Sequence, residues 1–230
     1  MKQGNYGLDA PSVVITYISL GIIFLILGII FYFKQSWFIN LGVIFLFLGL
    51  YMVYGSKIGK YKMREKIIKR LQINGEEIVL DVGCGRGLML NGVAGKLKSG
   101  KAYGIDIWSA KDQSQNSYDE TIKNAKIEGT EDKIQVVNAD MRKIPFKNKY
   151  FDIIVSSLAI HNLKNNEERK KALLEISRVA KKGCRVAILD IAHVKYYESI
   201  FKEQGFEIEH FDKCQFQIFP PVSVLYARKK

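Results

Sequence analysis

Cysteine is scarce in this chain: Cys84, Cys184 and Cys214 are the three in 230 residues, far apart and without a CxxC pair. An odd, dispersed set excludes a disulfide framework, and nothing has the ligand spacing of a zinc site, so no metal is expected. The pattern suits a reducing, cytoplasmic setting. Acidic residues are also in deficit, 23 against 35 Lys and Arg, for a net charge of +12. Charge of either sign is missing altogether from residues 13–33 and from residues 37–54. No internal repeat or low-complexity segment is present.

The first uncharged run is long enough to span. At about 1.5 Å per residue a helix of that length reaches roughly 30 Å, the thickness of a bilayer's hydrocarbon core. It exceeds the apolar core of a signal peptide and lacks the small-residue cleavage site that should follow one. Residues 37–54 lie near the lower length limit, and only Lys34, Gln35 and Ser36 separate the runs. Residues 1–55 are therefore expected to form a transmembrane helical hairpin, with a re-entrant or interfacial hairpin as the alternative. Gly21 and Gly28, and Gly42 and Gly49, each stand seven residues apart, which puts each pair on one helical face where backbones approach closely. Glycine is also simply common in such helices.

Lys57, Lys60, Lys62, Arg64, Lys66, Lys69 and Arg70 crowd behind the second run, opposed there only by Glu65. A basic cluster attracts nucleic acid, but beside a transmembrane helix it is what the positive-inside rule expects of a cytoplasmic flank. That location favours the flank over a nucleic-acid partner. The rule places both the N-terminus and everything after Tyr54 in the cytoplasm. Residues 56–74 read as a basic linker helix and 75–230 as the soluble domain.

Within that domain, short apolar runs at 77–82, 102–105, 134–137, 151–156, 185–189, 206–210 and 222–227 predict strands, and 88–97, 118–127, 167–180 and 194–204 predict helices. Alternation of this kind implies crossovers, hence a mainly parallel, Rossmann-like seven-stranded sheet with helices on both faces. The last two strands are joined only by a loop containing Pro220 and Pro221, so the final strand is free to run antiparallel.

One segment carries chemistry: Val79-Leu80-Asp81-Val82-Gly83-Cys84-Gly85-Arg86-Gly87. An apolar strand runs into a glycine-rich turn and then a helix, where glycines permit a sharp turn and close approach of a ligand to backbone. Leu88 stands where a dinucleotide fingerprint wants its third glycine, which argues against NAD. The pattern Asp-x-Gly-x-Gly-x-Gly resembles motif I of class I S-adenosylmethionine-dependent methyltransferases. Three further segments match that family in order: Gly104-Ile105-Asp106-Ile107, Asn138-Ala139-Asp140-Met141, and Phe151-Asp152-Ile153-Ile154-Val155-Ser156-Ser157. Lys181-Lys182-Gly183 resembles the family's Lys-Pro-Gly turn, with Lys182 in place of proline.

The resemblance implies S-adenosyl-L-methionine as cofactor, held by Asp81, Gly83, Cys84, Gly85 and Gly87 of the turn. It further implies Asp106 on the ribose hydroxyls, Asp140 on the adenine amino group with Met141 against the ring, Ile107 and Trp108 over its other face, and Ser156 facing the cofactor. Plain core packing is the rival explanation for the apolar members. The polar stretch 106–117 offers Gln113 and Asn116 for cofactor or substrate, or forms a surface turn. His161 is the candidate general base, since imidazole titrates near neutrality; the alternative is a structural histidine capping the next helix. Asp190, ending the fifth strand, is a second candidate further from the expected cofactor site.

A membrane-anchored methyltransferase acting on a small-molecule or lipid-like acceptor is the expectation. One alternative is a nucleic-acid methyltransferase. Against it, Ser156-Ser157-Leu158-Ala159 stands where adenine amino methylases carry Asn/Asp-Pro-Pro-aromatic, and the Pro-Cys of cytosine methylases is absent. Another is a membrane scaffold that binds cofactor without turnover.

Overall fold

The computed structural model describes residues 3–31, 37–108 and 116–230 of the chain; the expected turn at 34–36 and the candidate Gln113 lie outside the described residues. The sheet contains β1 (Ile78–Val82), β2 (Lys101–Asp106), β3 (Ile134–Asn138), β4 (Phe151–Ser157), β5 (Ala180–Asp190), β6 (Phe206–Gln215) and β7 (Val222–Lys229). Their order is β3-β2-β1-β4-β5-β7-β6. The first five are parallel, and β7 is antiparallel to both β5 and β6, as the short final connection allows.

The central strands are buried on both faces: Val79, Leu80, Val82, Phe151, Ile153, Ile154 and Val155 have no exposed surface. Helices α3 (Lys60–Leu71), α4 (Leu88–Ala94) and α5 (Tyr118–Glu128) supply Met63, Ile67, Ile68, Leu90, Val93 and Ala125 to one half of the core. The other half takes Leu173, Ile176 and Val179 from α6 (Asn166–Val179) and Tyr197, Ile200 and Phe201 from α7 (Val194–Glu203). Two crossover helices start on explicit side-chain caps. Ser117 accepts from the Glu120 amide and Asn165 from the Glu168 amide, each satisfying a donor the helix itself leaves unpaired.

Two sequence expectations change here. Residues 56–74 are not a separate linker: the helix α2 (Trp37–Tyr54) continues through a π-turn at Gly55–Gly59 into α3, whose Met63, Ile67, Ile68 and Leu71 are core residues. Ile67, Ile68 and Leu71 belong to an apolar helical face legible in the sequence, and the structure adds Met63 to it. The expected turn at 181–183 is instead a bulge inside β5, where the pairing jumps from Phe151–Ala180 to Ile153–Arg185 and Gly183 adopts φ +80°.

Helices α1 (Pro11–Ile30) and α2 are each long and apolar enough to cross a membrane. They meet along the four glycines, all buried. A Cβ at Gly21 would lie 2.6 Å from Leu46 Cγ and one at Gly42 2.7 Å from Leu25 Cγ, with backbone nitrogens under 3 Å away in both cases. Their outward faces remain bare, Ile29 being 75% and Phe47 63% exposed. Ahead of α1, residues 3–10 cross the domain as a strap: Tyr6 is fully buried, and Asn5 donates its amide to Asn124 Oδ1 at 2.8 Å.

Gly42→Leu should therefore force the two helices apart and cost about 1–3 kcal/mol, the usual penalty of overpacking. A lowered thermal midpoint of the full chain in detergent would show it, and an unchanged midpoint would mean that the close glycine contact is dispensable.

Candidate active site

The carboxyl end of β1 turns sharply. The amides of Gly83 and Cys84 both donate to the Ile105 carbonyl of the neighbouring β2, at 2.8 and 3.0 Å, and Gly87 donates back to Cys84 O at 2.8 Å. Gly83, Gly85 and Gly87 have φ of +71°, +51° and +87°, which side chains rarely adopt. At Gly83 a Cβ would also meet Ala159 Cβ at 2.3 Å, so glycine is required there twice over.

Asp106 locks the turn to β2. Its carboxylate accepts from the Gly85 amide at 2.7 Å and the Trp108 amide at 2.6 Å. Asp106 also lines the cavity. Asp81 is buried, lines the same cavity and makes no hydrogen bond of good geometry on either carboxylate oxygen among the described residues. Burial pushes its carboxyl up to about 8; the Leu90 amide opposes the rise and the charge of Asp106 adds to it. A buried polar group left unsatisfied in this way is expensive, and such groups in clefts mark functional sites.

The cavity has a volume of about 550 Å³. Of the residues singled out in the sequence, Asp81, Gly83, Cys84, Gly85, Asp106, Ile107, Asn116, Asp140, Met141 and His161 line it. Gly87 starts α4 just behind the wall. Asp140 is held below the usual carboxylate range first by the Arg142 side chain, whose Nε donates to it at 3.0 Å. Two expectations are corrected. Ser156 stands behind the wall, donating to Val82 O at 2.8 Å, because strand alternation turns the neighbouring Ser157 into the cavity instead. Trp108 packs away from it, its indole N–H directed at Gly85 O and its ring against Tyr118.

His161 and Asp190, unrelated in the sequence, meet. Leu158 takes a left-handed φ of +54° and donates its amide to Leu189 O at 2.9 Å, which swings the chain leaving β4 across the end of β5. His161 then donates its backbone amide to Asp190 Oδ2 at 3.0 Å, and its ring Nδ1 contacts Asp190 Oδ1. Asp190 is 0% exposed and also receives the Ile191 amide at 2.8 Å and the Tyr197 hydroxyl at 3.2 Å. The His161 and Ile191 amides and the Tyr197 hydroxyl already donate to this carboxylate, which as an acceptor takes the Nδ1 hydrogen as well; in the neutral ring that tautomer leaves the lone pair on Nε2. The capping alternative falls, because α6 is capped by Asn165.

Sequence reasoning missed the polar flank of the cavity. Tyr6 and Asp9 of the strap, Lys60 and Arg64 of α3, and Arg86 all line it. Burial lowers the Lys60 pKa against the pull of Asp9, with the ammonium donating to Tyr6 O at 2.8 Å and lying 3.2 Å from Asp9 Oδ1. Arg64 pairs with Glu128 at 3.1 Å and Arg86 with Glu120 at 2.7 Å. The only signal in the sequence was the density of Lys and Arg before β1, which the membrane flank explained equally well.

Residues 80–188 match the family described as "Methyltransferase domain". Methyltransferase GfsG of Streptomyces halstedii is 31% identical over 130 residues, which cover 56% of this chain and 43% of that protein. Sterol 4-C-methyltransferase strm-1 of Caenorhabditis elegans is 28% identical over 146 residues, covering 64% and 40%. The chain thus spans less than half the length of these two relatives. Geranyl diphosphate C-methyltransferase from Streptomyces coelicolor, solved with S-adenosyl-L-homocysteine, shares the fold at TM-score 0.59 and 12% identity, over 74% of this chain and 76% of its own. The sequence match from β1 to β5, together with a sheet that has the fold of a solved methyltransferase, makes residues 80–188 similar to a methyltransferase domain, with S-adenosylmethionine as its cofactor.

Proposed function

We propose that the chain is a membrane-anchored methyltransferase that transfers the methyl group to a lipid-like acceptor, with His161 as general base. One observation carries the reading: a single cavity is lined by the glycine turn and Asp106 at one place and by the His161–Asp190 pair at another. The relatives' sterol and geranyl diphosphate substrates agree with an apolar acceptor. Anchoring is supported by the bare apolar faces of α1 and α2 and by the basic flank after Tyr54, which by the positive-inside rule favours the cytoplasmic side for the domain.

The residues present fit the cofactor. Asp81 offers a buried carboxyl whose oxygens make no hydrogen bond of good geometry among the described residues, suited to a cationic amino group; the Asp106 carboxylate lines the cavity and suits paired hydroxyls; Gly83 and Gly85 supply the left-handed φ of the turn. When bound, S-adenosylmethionine supplies an electrophilic methyl on a sulfonium that departs as S-adenosylhomocysteine. What the chain contributes is placement and proton transfer. Ala159, Leu158 and Met141 exclude water from the region between turn and imidazole. The acceptor's proton passes to His161 Nε2, and Asp190 holds the ring in that tautomer as the positive charge forms. Asp190 acts through His161 and is a positioning residue.

Incubation of the full chain with lipid extract and methyl-tritiated S-adenosylmethionine should move label into solvent-extractable material. His161→Gln should lower the rate by about a hundredfold or more and abolish the acid limb of the pH–rate profile. Asp190→Asn should lower kcat with little change in KM. Label confined to water-soluble products would sink the lipid-like acceptor, and an unaltered pH profile in His161→Gln would sink the base.

Cofactor retention is a separate test. Calorimetric titration should show saturable S-adenosylhomocysteine binding that Asp106→Ala loses; a folded wild-type chain that binds none would refute the cofactor site.

Asp81 predicts a pH effect in the ligand-free chain. Its folded value of about 8 lies above the ordinary 3.8, so the folded chain holds that proton the more tightly. The resulting stability is fully present below the ordinary value and is lost as pH rises towards the folded one. Asp81→Asn removes this loss, so its thermal midpoint should rise relative to wild type, and by more at pH 8 than at pH 5. A gap that does not widen with pH would show that the carboxyl is not so perturbed.

A further inference from the structure

The cavity's lining joins charged and apolar groups. Asp9, Lys60, Arg64, Arg86, Asp81 and Asp106 bring charge from the strap, α3 and the glycine turn, and Asp140, Arg142, Lys164 and Glu168 add more. The cofactor's charged end suits such groups. The apolar lining includes Leu189 and Ile191 at the end of β5, Ile218, Phe219 and Pro220 in the β6–β7 loop, and Met52 in the final turn of the apolar helix α2.

The β6–β7 loop is fastened to that helix. The Tyr51 hydroxyl donates to the Phe216 carbonyl, and the Tyr51 and Phe219 rings lie 5.5 Å apart. Below them the π-turn accepts the loop's backbone: a Cβ at Gly55 would lie 3.3 Å from Ile218 Cα, and one at Gly59 only 1.6 Å from Gln217 O. Phe216 is 64% exposed, in a loop that packs where Tyr51 and Tyr54 give way to Lys57 and Lys62. Aromatic residues followed by basic ones are the chemistry of a membrane–water interface. Met52, Met63 and Met89 add unbranched, adaptable side chains to the wall, suited to a chain of variable shape.

We infer that the apolar part of the cavity lining binds the hydrocarbon tail of a membrane-resident acceptor, which enters from the bilayer between the end of α2 and the 216–220 loop. The tail lies along Met52, Ile218 and Phe219, and its reactive head reaches His161. Entry by this route spares the tail a passage through bulk water. The inference rests on the membrane-anchored methyltransferase reading and specifies where its acceptor sits.

The test uses the full chain in phosphatidylcholine nanodiscs with a long-chain alkylphenol carrying a diazirine near the end of its tail. After irradiation, mass spectrometry should place adducts on the segments containing Met52 and Ile218 to Pro220, and unlabelled alkylphenol should compete them away. Met52→Trp and, independently, Ile218→Trp should reduce those adducts several-fold, while S-adenosylhomocysteine binding in the same nanodiscs reports that the domain is folded. Adducts confined to outward residues such as Ile22 and Phe47, or insensitive to both substitutions and to competitor, would overturn the entry route. Failure of the wild-type chain to bind S-adenosylhomocysteine would instead defeat the methyltransferase reading, and failure to remain with the nanodisc would defeat the anchor and the route together.

Discussion

Five parallel strands bring all their carboxyl ends to one edge of the sheet, and the active-site groups hang from that edge. Asp81 lies one residue inside the end of β1, Asp106 ends β2, Asp140 follows β3, the segment bearing His161 follows β4, and Asp190 ends β5. Burial of β1 and β4 on both faces fixes their register, so the loops cannot drift relative to one another. The glycine turn is held to β2 through the Ile105 carbonyl and the Asp106 carboxylate, so this side of the candidate site is a property of the sheet.

The other side depends on a continuous helix. α2 passes through the π-turn into α3 without a break, and α3 buries Met63, Ile67, Ile68 and Leu71 in the domain core. A rigid connection of this kind sets the orientation of the apolar hairpin relative to the catalytic domain. Gly55 and Gly59 serve the same end, because only glycine lets the β6–β7 loop lie against the helix backbone. The cavity is therefore lined by both the hairpin, through Met52, and the domain.

The pairing of His161 with Asp190 shows how local strain is put to use. A left-handed residue such as Leu158 is costly, and it persists because its amide is tied to Leu189 and its neighbours are packed. The result is a histidine whose backbone and ring are both held by one buried carboxylate.

Much of this was legible in the sequence by itself. The strands and crossover helices follow from periodicity, the antiparallel β7 from its short connection, the glycine contacts of the hairpin from seven-residue spacing, and the turn with Asp81 and Asp106 from motif order. These are short-range properties, recorded by neighbours in the chain. Tertiary structure alone decided the rest. That residues 3–10 strap the polar flank, that the 216–220 loop packs on the helix, and that Asp190 lies under His161 all depend on contacts between residues distant in sequence. Such contacts are set by how helices and loops settle on the sheet, and no local pattern of charge or hydrophobicity encodes them.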